Sequence, residues 1–277
     1  MFDLPDSRHF LIGMVHLGPL PGQGGSPGLA ALTAGALADA RALEEAGFDA
    51  VLVENWRDES PGPFVSPQDG EAIEAIAGAV ARAVGVPVGL NVLPNDYRTA
   101  FAVADRLGLA FVQLDVLVDP VRTDYSVSRA APFEVRVDPE EVCALRPAGV
   151  GLLASVQPKH YRLLAPRPLE DSVRAARRFV DAVVVTGPAT GAPPDVGRLR
   201  RAVEAAAETP VLVGSGLDPA NAALLLAESA GAIVGTAVKT PDFARVDPER
   251  ARALVLAVRT SGTRPGGAPL EPEAPAC

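Results

Sequence analysis

Residues 209–222 read TPVLVGSGLDPANA. A short apolar run, Val211-Leu212-Val213, stops at Gly214-Ser215-Gly216. Asp218-Pro219 then opens a helix, with a carboxylate to cap the first free amides and a proline where its missing N–H costs nothing. Strand, glycine turn and helix make one β/α unit. The run is apolar at every residue rather than alternating, the pattern of a strand covered on both faces in a parallel sheet.

The same unit recurs along the chain. Apolar runs of strand length occupy 10–17 (FLIGMVHL), 49–55 (DAVLVEN), 86–93 (VPVGLNVL), 111–118 (FVQLDVLV), 150–157 (VGLLASVQ), 181–187 (DAVVVTG), 210–216 (PVLVGSG) and 232–238 (AIVGTAV). Ala/Leu/Arg-rich helical segments lie near 29–46, 69–84, 96–107, 138–146, 169–179, 196–208, 218–229 and 247–259. Eight strand–helix pairs in one composition regime predict an α/β fold, a single closed (β/α)8 TIM barrel over 1–260. A doubly wound open sheet is the alternative. It places its glycine fingerprint early, whereas the sharpest glycine cluster here is late. Asp138-Pro139, Asp218-Pro219 and Asp247-Pro248 read as helix caps. Residues 56–68 and 119–137 read as long loops over the barrel mouth. The tail 261–277, SGTRPGGAPLEPEAPAC, predicts disorder.

Composition narrows the function classes. The chain has 277 residues, 48% of them hydrophobic, and a formal net charge of −9 with no basic block. That argues against nucleic-acid binding. No apolar run reaches the ~18 residues of a membrane span. The N-terminal MFDLPDSRHF lacks the basic start and apolar run of a signal peptide. Cys143 and Cys277 make neither a disulfide framework nor a metal knuckle. The expectation is a soluble cytoplasmic protein, with a homo-oligomer left open.

A barrel places its working groups at the C-terminal ends of its strands, and polar residues gather there. The first run ends at His16, the second at Glu54-Asn55. The third carries Asn91 and is followed by Asn95-Asp96, the fourth holds Asp115, and the fifth leads to Lys159-His160. The sixth ends at Thr186-Gly187, the seventh at Gly214-Ser215-Gly216, the eighth at Gly235-Thr236. Many barrels grip a phosphate with the loops after strands 7 and 8. Gly214, Ser215, Gly216, Gly235 and Thr236 therefore read as a phosphate grip, favoured over plain close packing at the rim. His16, Glu54, Asp115, Lys159 and His160 are the catalytic candidates. Asn55, Asn91, Asn95, Asp96, Asp124, Thr186 and Gly187 are the substrate-binding candidates, with helix capping an equal reading for Asn95-Asp96. No HxH or HExxH spacing supports a tightly held zinc. A loosely held Mg²⁺ on Glu54, Asp96 or Asp115, beside a substrate phosphate, stays open.

With these residues placed, the chain resembles the BtpA family (BtpA/SgcQ-like TIM-barrel proteins) along nearly the whole barrel. The resemblance rests on IGMVHLGPLPG (12–22), VEN (53–55), GLNVLPND (89–96), TD (123–124), PKH (158–160), VTGPATG (185–191), GSG (214–216) and IVGTAVK (233–239), in the family's order. It implies a barrel related to phosphate-binding barrels and little about chemistry, since most members have no assigned reaction. The founding member is associated with photosystem I biogenesis or stability. The chain departs from the family at Asp115, where asparagine is expected, in SVQP before Lys159-His160, and after Thr123-Asp124, where the usual glutamine-glycine is missing. Retuning for another substrate and partial decay of the site both fit those departures.

The functional expectation is an enzyme acting on a small phosphorylated metabolite, a sugar phosphate or nucleotide-like compound, by acid–base chemistry such as a lyase, isomerase or glycosyl-transfer step. The alternatives are a non-catalytic biogenesis factor and a phosphate-ligand binder without turnover.

Overall fold

A computed structural model describes residues 9–56, 58–59, 62–124 and 131–261. The chain runs β1 (Phe10–His16), α1 (Leu29–Ala46), β2 (Ala50–Glu54), α2 (Pro67–Ala83), β3 (Val88–Asn91), α3 (Tyr97–Leu107), β4 (Phe111–Leu114), β5 (Val121–Thr123), β6 (Glu134–Val135) and α4 (Pro139–Leu145). It continues through β7 (Gly151–Val156), β8 (Tyr161–Leu163), α5 (Leu169–Ala176), β9 (Ala182–Val185), α6 (Val196–Ala206), β10 (Val211–Val213), α7 (Ala222–Leu226), β11 (Gly231–Val234), a 3-10 turn (Thr236–Val238) and α8 (Pro248–Thr260). Strands β1, β11, β10, β9, β7, β4, β3 and β2 close into a parallel eight-stranded barrel in that order. The expected tail lies outside the described residues from 262 onward.

Alternation of side chains along each strand sorts the apolar residues into two layers. Phe10, Ile12 and Met14 of β1 point inward. They pack with Ala50, Leu52, Phe111, Leu153, Ala182, Val184, Leu212 and Ile233 to fill the barrel. The intervening residues, such as Leu11, Val15, Val51, Val53, Val112 and Val183, join the larger layer beneath the helices. Both faces of each strand are thus buried, which is why the runs are apolar throughout. Each fully buried Leu, Val or Phe removes enough surface from water for roughly 1.5–3 kcal/mol. Gly89 leaves the space that the Phe111 ring takes, since a Cβ there would overlap it.

The helix signals act locally as expected, with one exception. Asp138 accepts from Glu140 N at 3.0 Å, and Asp247 from Glu249 N at 2.9 Å, each ahead of a first-turn proline. Asp218 instead closes a turn, accepting from Ala220 N and Asn221 N at 2.8 and 2.9 Å. The helix near 218–229 therefore shortens to α7, Ala222–Leu226. At the N-terminal end of the barrel, Asp49 accepts from Leu11 N at 2.8 Å and pairs with Arg259 at 2.9 Å, tying β1 and α8 together on the face away from the mouth.

The expectation of a plain loop over 119–137 is corrected. β5 pairs antiparallel with both β6 and β8 in a small three-stranded sheet. Val116, Val121 and Val135 form a separate apolar cluster there, with Phe133, Tyr161 and Leu163 packed against it. The exits of β4 and β7 are thereby stitched together, and the segment from Lys159 to Tyr161 is fixed at the mouth.

Candidate active site

Extending the inward alternation to the end of each strand locates the site. After the apolar rungs, the next inward residues are His16 on β1, Glu54 on β2, Asn91 on β3, Gln113 on β4 followed by Asp115, Ser155 on β7, Thr186 after β9, Gly214 after β10 and Gly235 after β11. All but the deeply buried Asn91 line a cavity of about 270 Å³ at the C-terminal mouth, together with Lys159 and His160.

Two acid–base groupings face each other. In the first, His16 Nε2 lies 3.4 Å from Glu54 Oε1, and Asn91 Nδ2 donates to Glu54 Oε2 at 2.9 Å. Adjacent strands in register place all three, with His16 opposite Glu54 and Glu54 opposite Asn91. Both glutamate oxygens are therefore engaged, and the carboxylate is held in one orientation. Asn91 Oδ1 is buried with no hydrogen-bond partner among the described residues.

The second grouping centres on Asp115. Burial in the barrel top raises its pKa to about 6, and the Glu54 charge pushes the same way. Lys159, Tyr161 and Asn91 pull against them. Gln113 Nε2 donates to Asp115 Oδ1 at 3.2 Å. The Tyr161 hydroxyl lies 2.9 Å from the Pro94 carbonyl and 3.2 Å from Asp115 Oδ2. A phenol has one proton to give. When it goes to Pro94, the contact with Asp115 is satisfied by a protonated carboxyl donating to the phenol oxygen. His160 Nε2 is 2.9 Å from Thr190 Oγ1, and Nδ1 is 3.7 Å from Asp124 Oδ2. Burial first, then the Lys159 charge, lowers the His160 pKa and favours the neutral ring.

The glycine-rich rim has a double use. Ser215 Oγ accepts from Gly187 N at 2.8 Å and donates to the Ala192 carbonyl at 2.9 Å, so its hydroxyl is spent clamping the loop after β9. A Cβ at Gly216, whose φ is +71°, or at Gly187 would run into the Ala192–Pro193 backbone, and one at Gly235 would lie 2.8 Å from His16 Cε1. Close packing alone thus accounts for these glycines. The backbone amides of Ser215, Gly216 and Thr236 have no protein acceptor among the described residues.

Several sequence candidates are placed elsewhere. Asn95 bridges the Val116 N–H and carbonyl, each at 2.9 Å. Asp96 caps α3 by accepting from Thr99 N at 2.9 Å and anchors Val65 N at 3.0 Å. Neither lines the cavity. Asn55 borders it, but its amide is occupied by Leu93 N, the Leu93 carbonyl and Asp58. Asp124 stands outside the cavity against His160, and the Gly187 amide is consumed by Ser215. Thr186 Oγ1 accepts from the backbone N–H of Lys159 at 3.0 Å. Among the described residues no group of three or more His, Cys, Asp or Glu is placed to hold a metal ion. Gln113 and Ser155 escaped the sequence reading, although the two-residue alternation points to both. Tyr161 lies in a strand too short to show any period.

Lys239, just past the 3-10 turn, is 1% exposed and pairs with Asp39 of α1 at 3.1 Å. Asp39 also takes Arg245 Nε at 2.8 Å and Val246 N at 2.9 Å. Burial lowers the Lys239 pKa, with Asp39 opposing.

The fold and mouth define a (β/α)8 barrel with its polar groups collected on the C-terminal face. Solved structures share this architecture. Phosphoribosyl anthranilate isomerase from Thermus thermophilus aligns with a TM-score of 0.58 at 14% identity, covering 91% of this chain and 98% of that one. Tryptophan synthase from M. tuberculosis aligns at 0.61 and 16%, covering 92% and 94%. The chain belongs to the BtpA family, whose profile matches residues 7–260. A Pyrococcus horikoshii protein is 35% identical over 255 residues, 90% of this chain and 96% of the relative. The photosystem I biogenesis protein BtpA of Synechocystis is 33% identical over 266 residues, 93% and 91% respectively. No described helix is long and apolar enough to cross a membrane.

Proposed function

We propose that this chain is an enzyme that moves protons on a small phosphorylated metabolite held in the barrel mouth. The carrying observation is Asp115, a half-buried carboxyl raised to about 6 and lining the same cavity as Lys159. A carboxyl tuned toward neutral pH gives and takes protons at useful rates. In this reading Asp115 is the general acid or base and Glu54–His16 the second proton-transfer pair. Lys159 and the amides of Ser215, Gly216 and Thr236 receive the phosphate. Ser215 contributes its amide, with its hydroxyl kept for the loop. Lyase, isomerase and glycosyl-transfer steps all use such a pair of groups. A metal is an open addition to this set, with Glu54 and Asp115 as the carboxylates at hand. A diffusible phosphorylated substrate suits the cytoplasm.

The test is a thermal-shift screen of inorganic phosphate, ribose 5-phosphate and other sugar phosphates, with and without Mg²⁺. A selective ligand at a hundredfold excess over Kd adds roughly 2.7 kcal/mol, a rise on the order of 5 °C for a chain of this size. Lys159→Met should abolish the rise. Turnover of the stabilising compound, absent in Asp115→Asn, would then assign the reaction. No stabilisation by any phosphorylated compound would refute the reading and turn attention to a protein partner, as the name of the Synechocystis relative suggests for that protein.

A further inference from the structure

The outer part of the cavity has a different character from its floor. Two large ring side chains, Trp56 at 36% and Phe243 at 47% exposure, line its rim. Strand order sets β11, β1 and β2 side by side. Trp56 follows β2 and Phe243 lies between the 3-10 turn and α8, and both border the cavity that His16 of β1 also lines. The Trp56 ring is backed by the His16 ring, centroids 5.2 Å apart and tilted 45°.

Phe243 is held in place against its backbone preference. Its φ is +58°, a left-handed conformation costly for a bulky side chain. The turn that imposes it is well tied. Phe243 N donates to the Thr240 carbonyl at 2.8 Å, and Thr240 N to the Arg245 carbonyl at 2.9 Å. Arg245 is anchored on buried Asp39. Glycine or asparagine would fill such a position without strain. A half-exposed phenyl ring there does little for packing, and it borders the same cavity as Ser215, Gly216 and Thr236.

We propose that Trp56 and Phe243 form a stacking surface for a flat heteroaromatic ring. The ligand is then a nucleoside monophosphate, with its phosphate toward β10 and β11 and its base between the rim rings, rather than a bare sugar phosphate. This rests on the phosphate reading above and narrows it. Aromatic faces bind any base without needing a hydrogen-bond code, so the surface selects for a base over its absence.

The chain contains one tryptophan, so its tryptophan emission reports on Trp56 alone. The experiment titrates the full chain with adenosine 5′-monophosphate, ribose 5-phosphate, inorganic phosphate and adenosine, following emission and heat of binding. The nucleotide should quench the emission and bind about tenfold tighter than ribose 5-phosphate. Phe243→Leu, which keeps the apolar bulk and loses the ring, should erase most of that advantage while leaving ribose 5-phosphate affinity within about twofold. Equal binding of nucleotide and sugar phosphate with unchanged emission overturns the stacking surface and leaves the phosphate reading standing. Adenosine that binds and quenches, with no compound gaining from its phosphate, supports the stacking surface and overturns the phosphate reading. Absence of binding by all four probes overturns both.

Discussion

Replacing Asp115 by asparagine separates the cost of a buried charge from the role it serves. The carboxyl titrates near 6 in the fold, against 3.8 in its unperturbed state, and burial is the main cause. At ~1.4 kcal/mol per pH unit, ionised Asp115 destabilises the fold by about 3 kcal/mol. The sign follows from which state holds the proton. Below pH 3.8 both states are protonated and there is no penalty. Between 3.8 and about 6 the unfolded chain has lost its proton while the folded chain keeps it, so stability falls as pH rises. Above 6 the penalty is complete. Asparagine has the same shape and still accepts from Gln113 through its oxygen, while its amide can donate to the Tyr161 oxygen, so the substitution removes charge with little repacking. Asp115→Asn should therefore be more stable than the parent at pH 7.5, by up to about 3 kcal/mol, or on the order of 5 °C in Tm. The gain should shrink to about 0.5 kcal/mol at pH 4. Urea unfolding of both proteins at the two pH values measures this. An equal difference at both, or a loss of stability at pH 7.5, would sink the reasoning.

Two further substitutions address residues that the structure assigns to architecture. Ser215→Ala leaves the Gly187 amide and the Ala192 carbonyl unpaired and should cost about 1–3 kcal/mol in denaturant unfolding, with any phosphate affinity changed less than about threefold because the hydroxyl is already engaged by Gly187 and Ala192; a large loss of affinity with unchanged stability would reverse that assignment. Asp96→Ala removes the α3 cap and the Val65 anchor and should cost about 1–2 kcal/mol, with ligand affinity the same with and without Mg²⁺; loss of a Mg²⁺-dependent increment would show that Asp96 serves a metal after all.

The barrel was legible because strands buried on both faces and amphipathic helices leave distinct patterns over several residues. The helix read at 29–46 is α1, Leu29–Ala46. The three-stranded sheet was not legible, since β5, β6 and β8 have two or three residues each and show no period. His16 and Glu54 stood out as polar groups ending apolar runs, and Asp115 as a carboxylate inside one. The orientation of Ser215 could not be read, because its partners Gly187 and Ala192 lie 28 and 23 residues away and are set by the folded loop. Asn95 and Asp96 show the reverse case, where backbone groups of neighbouring loops absorb side chains that looked available.

His16, Glu54 and Asn91 are spaced by the hydrogen-bonded ladder of the barrel itself, so their separations are as stiff as the fold. Trp56, Thr190 and Phe243 belong to connecting segments that no ladder constrains. Changes in those segments can alter which molecule is admitted without moving the groups beneath. A lineage built on this chain can therefore remodel its mouth while keeping the strand-borne groups, and the record of that divergence should be written in loop lengths and rim residues rather than in the strands.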